Sequence, residues 1–204
     1  MVCRAIETAL GSGVFDKVFV STDTDNVKRY ALTYDGVVVL ERLNDVQGNT
    51  FTVDDVLESH MLEWEWEKPV YICVLYPCTP LLEPNDLAES FSMMKAANAS
   101  RCVAMKEYED SPAFMAAQLE DSEFFLRRNP LGTIKKQLET TWYTDAGQFY
   151  WITHQAFMRQ RLLMSDLSVL GYKLPRWRAV DINTEEDLNR AKYYYKTYIS
   201  NEKQ

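Results

Sequence analysis

The sequence contains the run WYTDAGQFYWIT at residues 142–153. Aromatic side chains in this run surround one carboxylate, Asp145, one amide, Gln148, and one glycine, Gly147. The last two residues of the run are β-branched, which predicts that it forms a strand. Such a run can line a ligand pocket, because aromatic faces give apolar walls and a glycine allows close approach of the backbone. A half-buried strand end with ordinary aromatic core residues has the same composition, so both interpretations stay open.

Strand and helix patterns alternate in the part of the chain that precedes this run. Continuous apolar runs predict strands at residues 18–20, 36–40, 70–75 and 102–105. Periodic apolar residues predict helices at residues 1–10, 24–32, 53–66 and 83–97. Because the strand patterns are apolar throughout rather than alternating, their sheet should be covered on both faces. We therefore expect an α/β fold with a mostly parallel sheet and helices on both faces.

The alternation stops at residues 107–141, where the chain is polar and charged and contains proline and glycine. Such a break predicts an inserted arm or hairpin within a single domain that spans residues 1–204. The pattern then resumes with a helix near residues 154–163, a short strand at 178–180 and a last helix from Thr184 to about residue 200. Thr184 and Asp187 match a capping box, so the acidic residues of that first turn have a structural explanation.

Composition argues against several classes of function. A formal charge of −8 and a pI of about 4.9 disfavour a nucleic-acid partner, because such binders normally show a basic face. Four scattered cysteines lack metal-ligand spacing and predict reduced thiols in a cytoplasmic protein. No apolar run approaches the roughly 20 residues of a membrane span, so we expect no membrane partner.

Polar residues follow several of the predicted strands, and ligands collect at the carboxyl ends of strands in open α/β sheets. The segments that qualify are residues 21–23, 41–42, 76–80 and 181–183. Asp181 follows a strand pattern and precedes a capped helix, a suitable position for a Mg²⁺ ligand, although a carboxylate bonded within a tight turn fits equally well. Arg42 fits a phosphate or base contact as well as a solvated loop cation. From the residues alone, the chain is an α/β ligand-binding domain.

Four motifs occur in order along the chain, and they are VFVSTD at residues 18–23, LYPCTP at 75–80, DAGQFYW at 145–151 and VDINTEED at 180–187. Together they resemble the acylneuraminate cytidylyltransferase family, and most closely its pseudaminic acid branch, at family-like spacing across nearly the whole chain. DAGQFYW is the most specific of the four, because it is similar to the sugar-side motif of the pseudaminic branch.

This resemblance implies a Rossmann-like nucleotide-diphospho-sugar transferase fold that is truncated at its N-terminus. The implied reaction transfers CMP from CTP to the anomeric hydroxyl of a nine-carbon keto-sugar acid, such as pseudaminic acid, and releases pyrophosphate. Mg²⁺ is the implied cofactor, and a homodimer formed through the inserted arm is the implied assembly. By the same resemblance, Asp181 is the catalytic residue and holds Mg²⁺ with Asn183. The implied nucleotide-binding residues are Arg42 and Asp23, and the implied sugar-binding residues are Tyr76, Asp145, Gln148 and Tyr150.

Three departures from the family pattern stand out. Residues 1–6 match the helix that follows the family's first strand and its Gly-, Ser-, Arg- and Lys-rich phosphate loop, so we expect both to be missing from the chain as written. Asn183 replaces the second acid of an Asp-x-Asp metal pair. The segment after Arg42 begins with Leu43 where the family usually has proline, and residues 48–52 are diverged.

Two accounts fit these departures. In the first, the chain is a fragment of a working enzyme, and it should be poorly stable alone because the neighbours of the missing strand have unpaired edges. In the second, the chain is a drifted, non-catalytic relative that serves as a sugar-binding or dimer-partner subunit. A purely structural α/β module is a third and more remote account.

Overall fold

A computed structural model describes residues 1–42, 51–61, 70–108, 115–120, 123–128, 141–161, 163 and 169–200 of the chain. Within these ranges the elements are α1 (Val2–Ser12), β1 (Val18–Thr22), α2 (Asp25–Ala31), β2 (Val37–Glu41), α3 (Val53–Met61), β3 (Tyr71–Leu75), α4 (Pro84–Ala96), β4 (Arg101–Glu107), β5 (Met115–Glu120), β6 (Glu123–Arg128), β7 (Tyr143–Thr153), α5 (His154–Gln160), β8 (Leu170–Lys173) and α6 (Glu185–Tyr194), which continues as a π-helical turn over Tyr195–Ile199. Every helix and strand predicted up to β4 is present. The predicted end of α3 at residue 66 lies outside the described residues.

Four strands form the main sheet, in the order β3-β7-β4-β8. β7 pairs antiparallel with both β3 and β4, whereas β4 and β8 are parallel. It follows that β3, β4 and β8 run in one direction and that β7 alone runs in the other. The predicted α/β class is confirmed, and most strands share one direction as expected. The reversed central strand, which the sequence did not predict, makes the sheet mixed.

The predicted strand at residues 178–180 is wrong. These residues belong to a turn in which the backbone N–H groups of Arg178 and Ala179 both donate to the Pro175 carbonyl. Ala179 is 4% exposed, so the apolar pattern here reflects burial in the core rather than a strand. The strand that completes the sheet lies upstream, at Leu170–Lys173, where no continuous apolar run indicates it.

The strands β1 and β2 form a separate parallel pair, in which Val20 lies opposite Val39. Within the described ranges, β1 has no partner on its second side and β3 has none on the side away from β7. Ile72 and Val74 of β3 are only partly buried, as expected for apolar residues on an open edge. Edge strands carry N–H and C=O groups that no neighbouring strand of the sheet pairs.

β7 forms the centre of the core, because successive side chains of a strand face opposite sides of the sheet. On one side Trp151 stacks on Phe91 of α4 with ring centroids 4.7 Å apart, and its Nε1–H donates to Ser90 Oγ at 2.9 Å. On the other side Tyr150 and Ile152 belong to a second cluster, with residues of α3 and α5. The expected helices on both faces of the sheet are therefore confirmed.

Two sequence signals at helix ends are also confirmed. Gly13 follows α1 with a φ of 65°, the left-handed conformation in which a helix commonly ends. Thr184 accepts a hydrogen bond from the Asp187 backbone N–H at the start of α6, and the Asp187 side chain accepts from the Thr184 backbone. This capping box fixes the beginning of α6 directly after residues 181–183.

The predicted arm, residues 107–141, is described only in part. Its described portion includes β5 and β6, which pair antiparallel with Ala117 opposite Leu126. A hairpin at this place agrees with the sequence pattern. Whether the arm joins two copies of the chain stays a prediction.

All four cysteines are free thiols, and Cys102 is completely buried. No helix within the described ranges is both long enough and apolar enough to cross a membrane.

Candidate active site

A bulge in β7 brings its backbone close to Asp181. The register of β7 on β4 shifts between Val103 and Met105, so β7 has extra residues at this point. Gly147 lies in the bulge with a φ of 63°, and a Cβ built on it would lie 3.2 Å from Asp181 Oδ2. Glycine adopts this conformation without cost and has no side chain to displace the carboxylate. Gly147 therefore allows β7 to approach Asp181.

The Asp181 carboxylate is held by donors from two directions. Cys78 Sγ donates to Asp181 Oδ1 at 2.8 Å, and Asn183 Nδ2 donates to Asp181 Oδ2 at 2.9 Å. The backbone N–H of Ile182 donates to the Cys78 carbonyl at 3.0 Å. Burial and the hydrogen bond to Asp181 raise the pKa of the Cys78 thiol to about 12, so the thiol stays protonated and donates. Two of the predicted ligand segments are thus in direct contact.

A tyrosine–aspartate group, composed of Asp145, Tyr150 and Tyr76, lies beside the bulge. The Tyr150 hydroxyl donates to Asp145 Oδ2 at 2.5 Å, and the Gly147 backbone N–H donates to Asp145 Oδ1 at 2.9 Å. The rings of Tyr76 and Tyr150 are 5.4 Å apart. Burial raises the pKa of both tyrosines, and for Tyr150 the Asp145 carboxylate raises it further. Both phenols are therefore neutral. Gly147 is hydrogen-bonded to this group, and a Cβ on it would lie beside Asp181.

Gln148, a predicted sugar-binding residue, lies inside the protein beside the bulge. Its side chain is completely buried, and its amide donates to the backbone carbonyls of Ala146 at 3.1 Å and Val180 at 3.2 Å. The Tyr76 backbone N–H donates to the Gln148 carbonyl at 3.1 Å. The predicted contact of Gln148 with a sugar stays a prediction. Gln148 ties the bulge to the segment that carries Asp181.

The two predicted nucleotide-binding residues lie at the ends of the strands of the separate two-stranded sheet. Asp23 directly follows β1 and Arg42 directly follows β2, and the last pair of these parallel strands is Thr22 opposite Glu41. Both residues therefore leave the sheet at the same edge, as the sequence predicted for strand ends. Their contact with a nucleotide stays a prediction.

The oxygen atoms that Asp181 and Asn183 can offer as ligands fit Mg²⁺ only if a substrate completes the coordination of the metal. Asp181 offers one carboxylate, and Asn183 can offer a side-chain carbonyl oxygen once its amide turns away from Asp181. Among the described residues there is no group of three or more His, Cys, Asp or Glu side chains that could hold a metal ion. Proteins usually bind Mg²⁺ through one or two carboxylates together with substrate phosphates. The site is suited to a metal that arrives with a polyphosphate.

An ion pair fixes the turn that leads to Asp181. Arg178 binds the Asp86 carboxylate with two hydrogen bonds, from Nη2 to Oδ1 at 2.7 Å and from Nη1 to Oδ2 at 2.8 Å. Arg178 Nη1 also donates to Glu83 Oε2 at 2.7 Å. Asp86 is 2% exposed, so this bidentate pair is largely shielded from water. The start of α4 therefore anchors the segment that positions Asp181.

A family model described as Cytidylyltransferase matches residues 1–199, which is nearly the whole chain. The chain belongs to the cytidylyltransferase family. Its activity class is therefore CTP-dependent nucleotidyl transfer, and the resemblance drawn from the four motifs is confirmed at the family level.

Curated relatives of this cytidylyltransferase act on acidic sugars according to their names. The pseudaminic acid cytidylyltransferase of Campylobacter jejuni subsp. jejuni serotype O:23/36 (strain 81-176) is 28% identical over 201 residues, which cover 96% of this chain and 85% of the relative. The N-acylneuraminate cytidylyltransferase of Streptococcus agalactiae serotype V (strain ATCC BAA-611 / 2603 V/R) is 21% identical over 191 residues, which cover 92% of this chain and 45% of the relative.

Solved structures of other cytidylyltransferases share the fold. CMP:2-keto-3-deoxy-manno-octonic acid synthetase, solved with CTP, matches with a TM-score of 0.63 and 15% identity, over 96% of this chain and 88% of that one. The 4-diphosphocytidyl-2C-methyl-D-erythritol synthase of Anaerococcus prevotii DSM 20548 matches with a TM-score of 0.65 and 11% identity, over 95% and 87% of the two chains. At these identities the likeness shows the Rossmann-like α/β fold alone.

Two residues at the site of this cytidylyltransferase were missed by the sequence reasoning. Cys78 lies in a predicted ligand segment, but a thiol gives no signal that it donates to a carboxylate 103 positions away. Arg178 was assigned to a strand, whereas it binds Asp86 across 92 positions. For the partners of Arg178, the one sequence signal was the spacing of Glu83 and Asp86, which form a capping box at the start of α4. Contacts over such separations depend on the packed fold.

Proposed function

We propose that this cytidylyltransferase transfers CMP from CTP to a nonulosonic sugar acid of the pseudaminic type. In this reaction the anomeric oxygen bonds to the α-phosphorus of CTP, the bond from that phosphorus to the pyrophosphate oxygen breaks, and the hydroxyl proton passes to solvent. The observation that carries the proposal is the position of Gly147, which is hydrogen-bonded to Asp145 of the tyrosine–aspartate group and lies beside Asp181. The names of the relatives at 28% identity support the choice of sugar.

On the nucleotide side, Asp181 and Asn183 hold Mg²⁺ in this proposal, and Asp23 and Arg42 contact the nucleotide. Mg²⁺ bound there supplies charge screening for the α-phosphate and the departing pyrophosphate. Arg178 keeps the Asp181 segment in place through its pair with Asp86. The protein contributes mainly positioning and charge neutralisation, as is usual for phosphoryl-group transfer.

On the sugar side, the tyrosine–aspartate group supplies directional acceptors. Asp145 already accepts from Tyr150 and Gly147, and each carboxylate oxygen has a further lone pair for a sugar hydroxyl or amide. The Tyr150 proton is directed to Asp145, and Tyr150 is also hydrogen-bonded to Tyr76 within the same group. The Tyr76 ring adds an apolar surface next to Tyr150.

Pyrophosphate release with CTP, Mg²⁺ and pseudaminic acid tests this proposal, with ATP and N-acetylneuraminic acid as the matched nucleotide and sugar controls. We expect release that needs CTP and is fastest with pseudaminic acid. A version extended upstream, wherever the DNA encodes one in frame, runs beside the chain as written, and activity in either supports the proposal. Silence in both, with a folded protein, contradicts it.

The non-catalytic account remains the second candidate, because Asn183 lacks the charge of the usual second acid. It predicts that the folded chain binds pseudaminic acid by calorimetry while neither version releases pyrophosphate. Turnover that depends on Asp181 excludes this account.

We also propose that the protein is cytoplasmic and that two copies pair through the arm, residues 107–141. The free cysteines are consistent with a reducing compartment. Light scattering coupled to size exclusion measures the mass directly. A dimer that becomes a monomer when the β5-β6 hairpin is replaced by a short Gly-Ser linker supports the assembly, and a monomeric unaltered chain contradicts it.

A further inference from the structure

Cys78 contacts the Asp181 segment at two points. Its thiol donates to Asp181 Oδ1 at 2.8 Å, and its backbone carbonyl accepts from the Ile182 N–H at 3.0 Å. One residue therefore orients both the carboxylate and the peptide that follows it.

The loop that carries Cys78 is itself fixed. The Thr79 hydroxyl donates to the Tyr76 carbonyl at 2.7 Å, and the Tyr76 N–H donates to the Gln148 carbonyl of the bulge at 3.1 Å. Thr79 is 4% exposed, so its hydrogen bond is shielded from water. Because the loop is tied to β7, the Cys78 thiol has a defined position from which to direct Asp181.

Asn183 donates to the same oxygen of Asp181 that would face the metal. At present its Nδ2 donates to Asp181 Oδ2 at 2.9 Å. If the Asn183 carbonyl turns to a cation, this hydrogen bond is lost, and Oδ2 becomes available to the same cation. The thiol of Cys78 then remains as the side-chain donor that keeps the Asp181 carboxylate in its orientation.

We propose that Cys78 is a positioning residue, whose thiol orients Asp181 Oδ1 so that Oδ2 faces the metal–nucleotide complex. This inference rests on the metal role of Asp181 in the proposed function. Groups that orient metal ligands through hydrogen bonds typically change metal affinity by about 10- to 100-fold when they are removed. A hydroxyl can replace the thiol as a donor, so serine should restore what alanine removes.

The test compares Cys78→Ala with Cys78→Ser in the full chain, with Cys3→Ala as the control for loss of a thiol elsewhere. The first measurement is ¹³C NMR of aspartate-labelled protein without metal, in which the Asp181 carboxyl signal is assigned by its loss in Asp181→Asn. The second is Mn²⁺ binding in the presence of CTP, followed by electron paramagnetic resonance. We expect Cys78→Ala to shift the carboxyl signal and to weaken Mn²⁺ binding about tenfold or more. The Mn²⁺ affinity of Cys78→Ser should stay within about threefold of that of the unaltered chain, and the Mn²⁺ affinity of Cys3→Ala should equal that of the unaltered chain.

Two results overturn the inference in distinguishable ways. An unchanged Asp181 carboxyl signal in Cys78→Ala shows that the thiol does not orient Asp181, whatever the metal does. A shifted signal with equal Mn²⁺ affinity in all variants shows that the contact exists but has no positioning role. If the unaltered chain binds no Mn²⁺ with CTP although the signal shifts, the metal role of Asp181 in the proposed function fails, and the inference fails with it.

Discussion

Comparing Gly147→Ala with Gly13→Ala separates the cost of a left-handed backbone conformation from the effect of a new methyl group on Asp181. Gly147 and Gly13 have nearly equal φ angles, 63° and 65°. A non-glycine residue in this left-handed region costs about 1–2 kcal/mol, so both Gly147→Ala and Gly13→Ala should lose at least that much stability. For a domain of this size, that loss lowers the melting temperature by about 2–8 °C.

The two positions differ in what a new methyl group meets. A Cβ at Gly147 lies 3.2 Å from Asp181 Oδ2, whereas a Cβ at Gly13 has no atom within 4 Å. Asp181 is held by Cys78 and Asn183, so it cannot move without lengthening those hydrogen bonds. We expect Gly147→Ala to weaken Mn²⁺ binding with CTP by about tenfold, the lower end for a disturbed ligand environment, and Gly13→Ala to leave it unchanged.

Circular dichroism gives the two melting temperatures, and electron paramagnetic resonance gives the Mn²⁺ affinities at a temperature where all three proteins are folded. The Gly13→Ala variant controls for the general loss of stability. Equal Mn²⁺ affinities for the two variants would refute the reasoning, because the bulge would then have no bearing on Asp181.

Three further predictions concern the surroundings of the site. Arg178→Leu leaves the Asp86 carboxylate buried without its ion pair, which should cost about 3–5 kcal/mol in urea unfolding; a loss below about 1 kcal/mol would contradict the anchoring role. Tyr150→Phe removes the hydroxyl hydrogen bond of the tyrosine–aspartate group, so calorimetry should show weaker sugar binding with CTP binding retained, and equal losses of both would indicate a structural effect. The hydrogen bond from the Thr184 hydroxyl lowers the pKa of Asp187 below its usual value of 3.8. The ionised Asp187 carboxylate therefore contributes its full stabilisation above pH 3.8, and this stabilisation is lost as the pH falls through the pKa of Asp187 in the folded protein. The difference in urea midpoint between the unaltered chain and Asp187→Asn should therefore shrink in that acid range, and a constant difference would contradict this linkage.

The local signals of the sequence predicted most of the fold. Helix ends such as Gly13 and the Thr184 capping box depend on neighbouring residues, and both were predicted correctly. The direction of β7 could not be predicted, because the same aromatic run fits a parallel or an antiparallel strand. Residues 178–180 were misassigned because a buried turn and a buried strand both select apolar residues.

The sequence predicted which residues belong to the candidate site better than it predicted their contacts. Asp181 and Asn183 were named from one motif, and the structure places them in hydrogen-bond contact. The motif predicts that Gln148 faces the sugar, but a sequence cannot show that the side chain of Gln148 is buried and bonded to the Val180 carbonyl. Cys78 and Arg178 act through partners far away in the chain, so their roles became visible only in the packed fold.

The central claim is that Asp181 and the tyrosine–aspartate group serve one transfer reaction. The most direct measurement is ³¹P NMR of CTP, Mg²⁺ and pseudaminic acid mixed with the active version of the protein, beside its Asp181→Ala and Asp145→Ala variants. The account predicts that the signal of a CMP-sugar phosphodiester grows together with that of pyrophosphate, and that both are lost in Asp181→Ala and strongly slowed in Asp145→Ala. Formation of the CMP-sugar at an undiminished rate in Asp181→Ala would contradict the account.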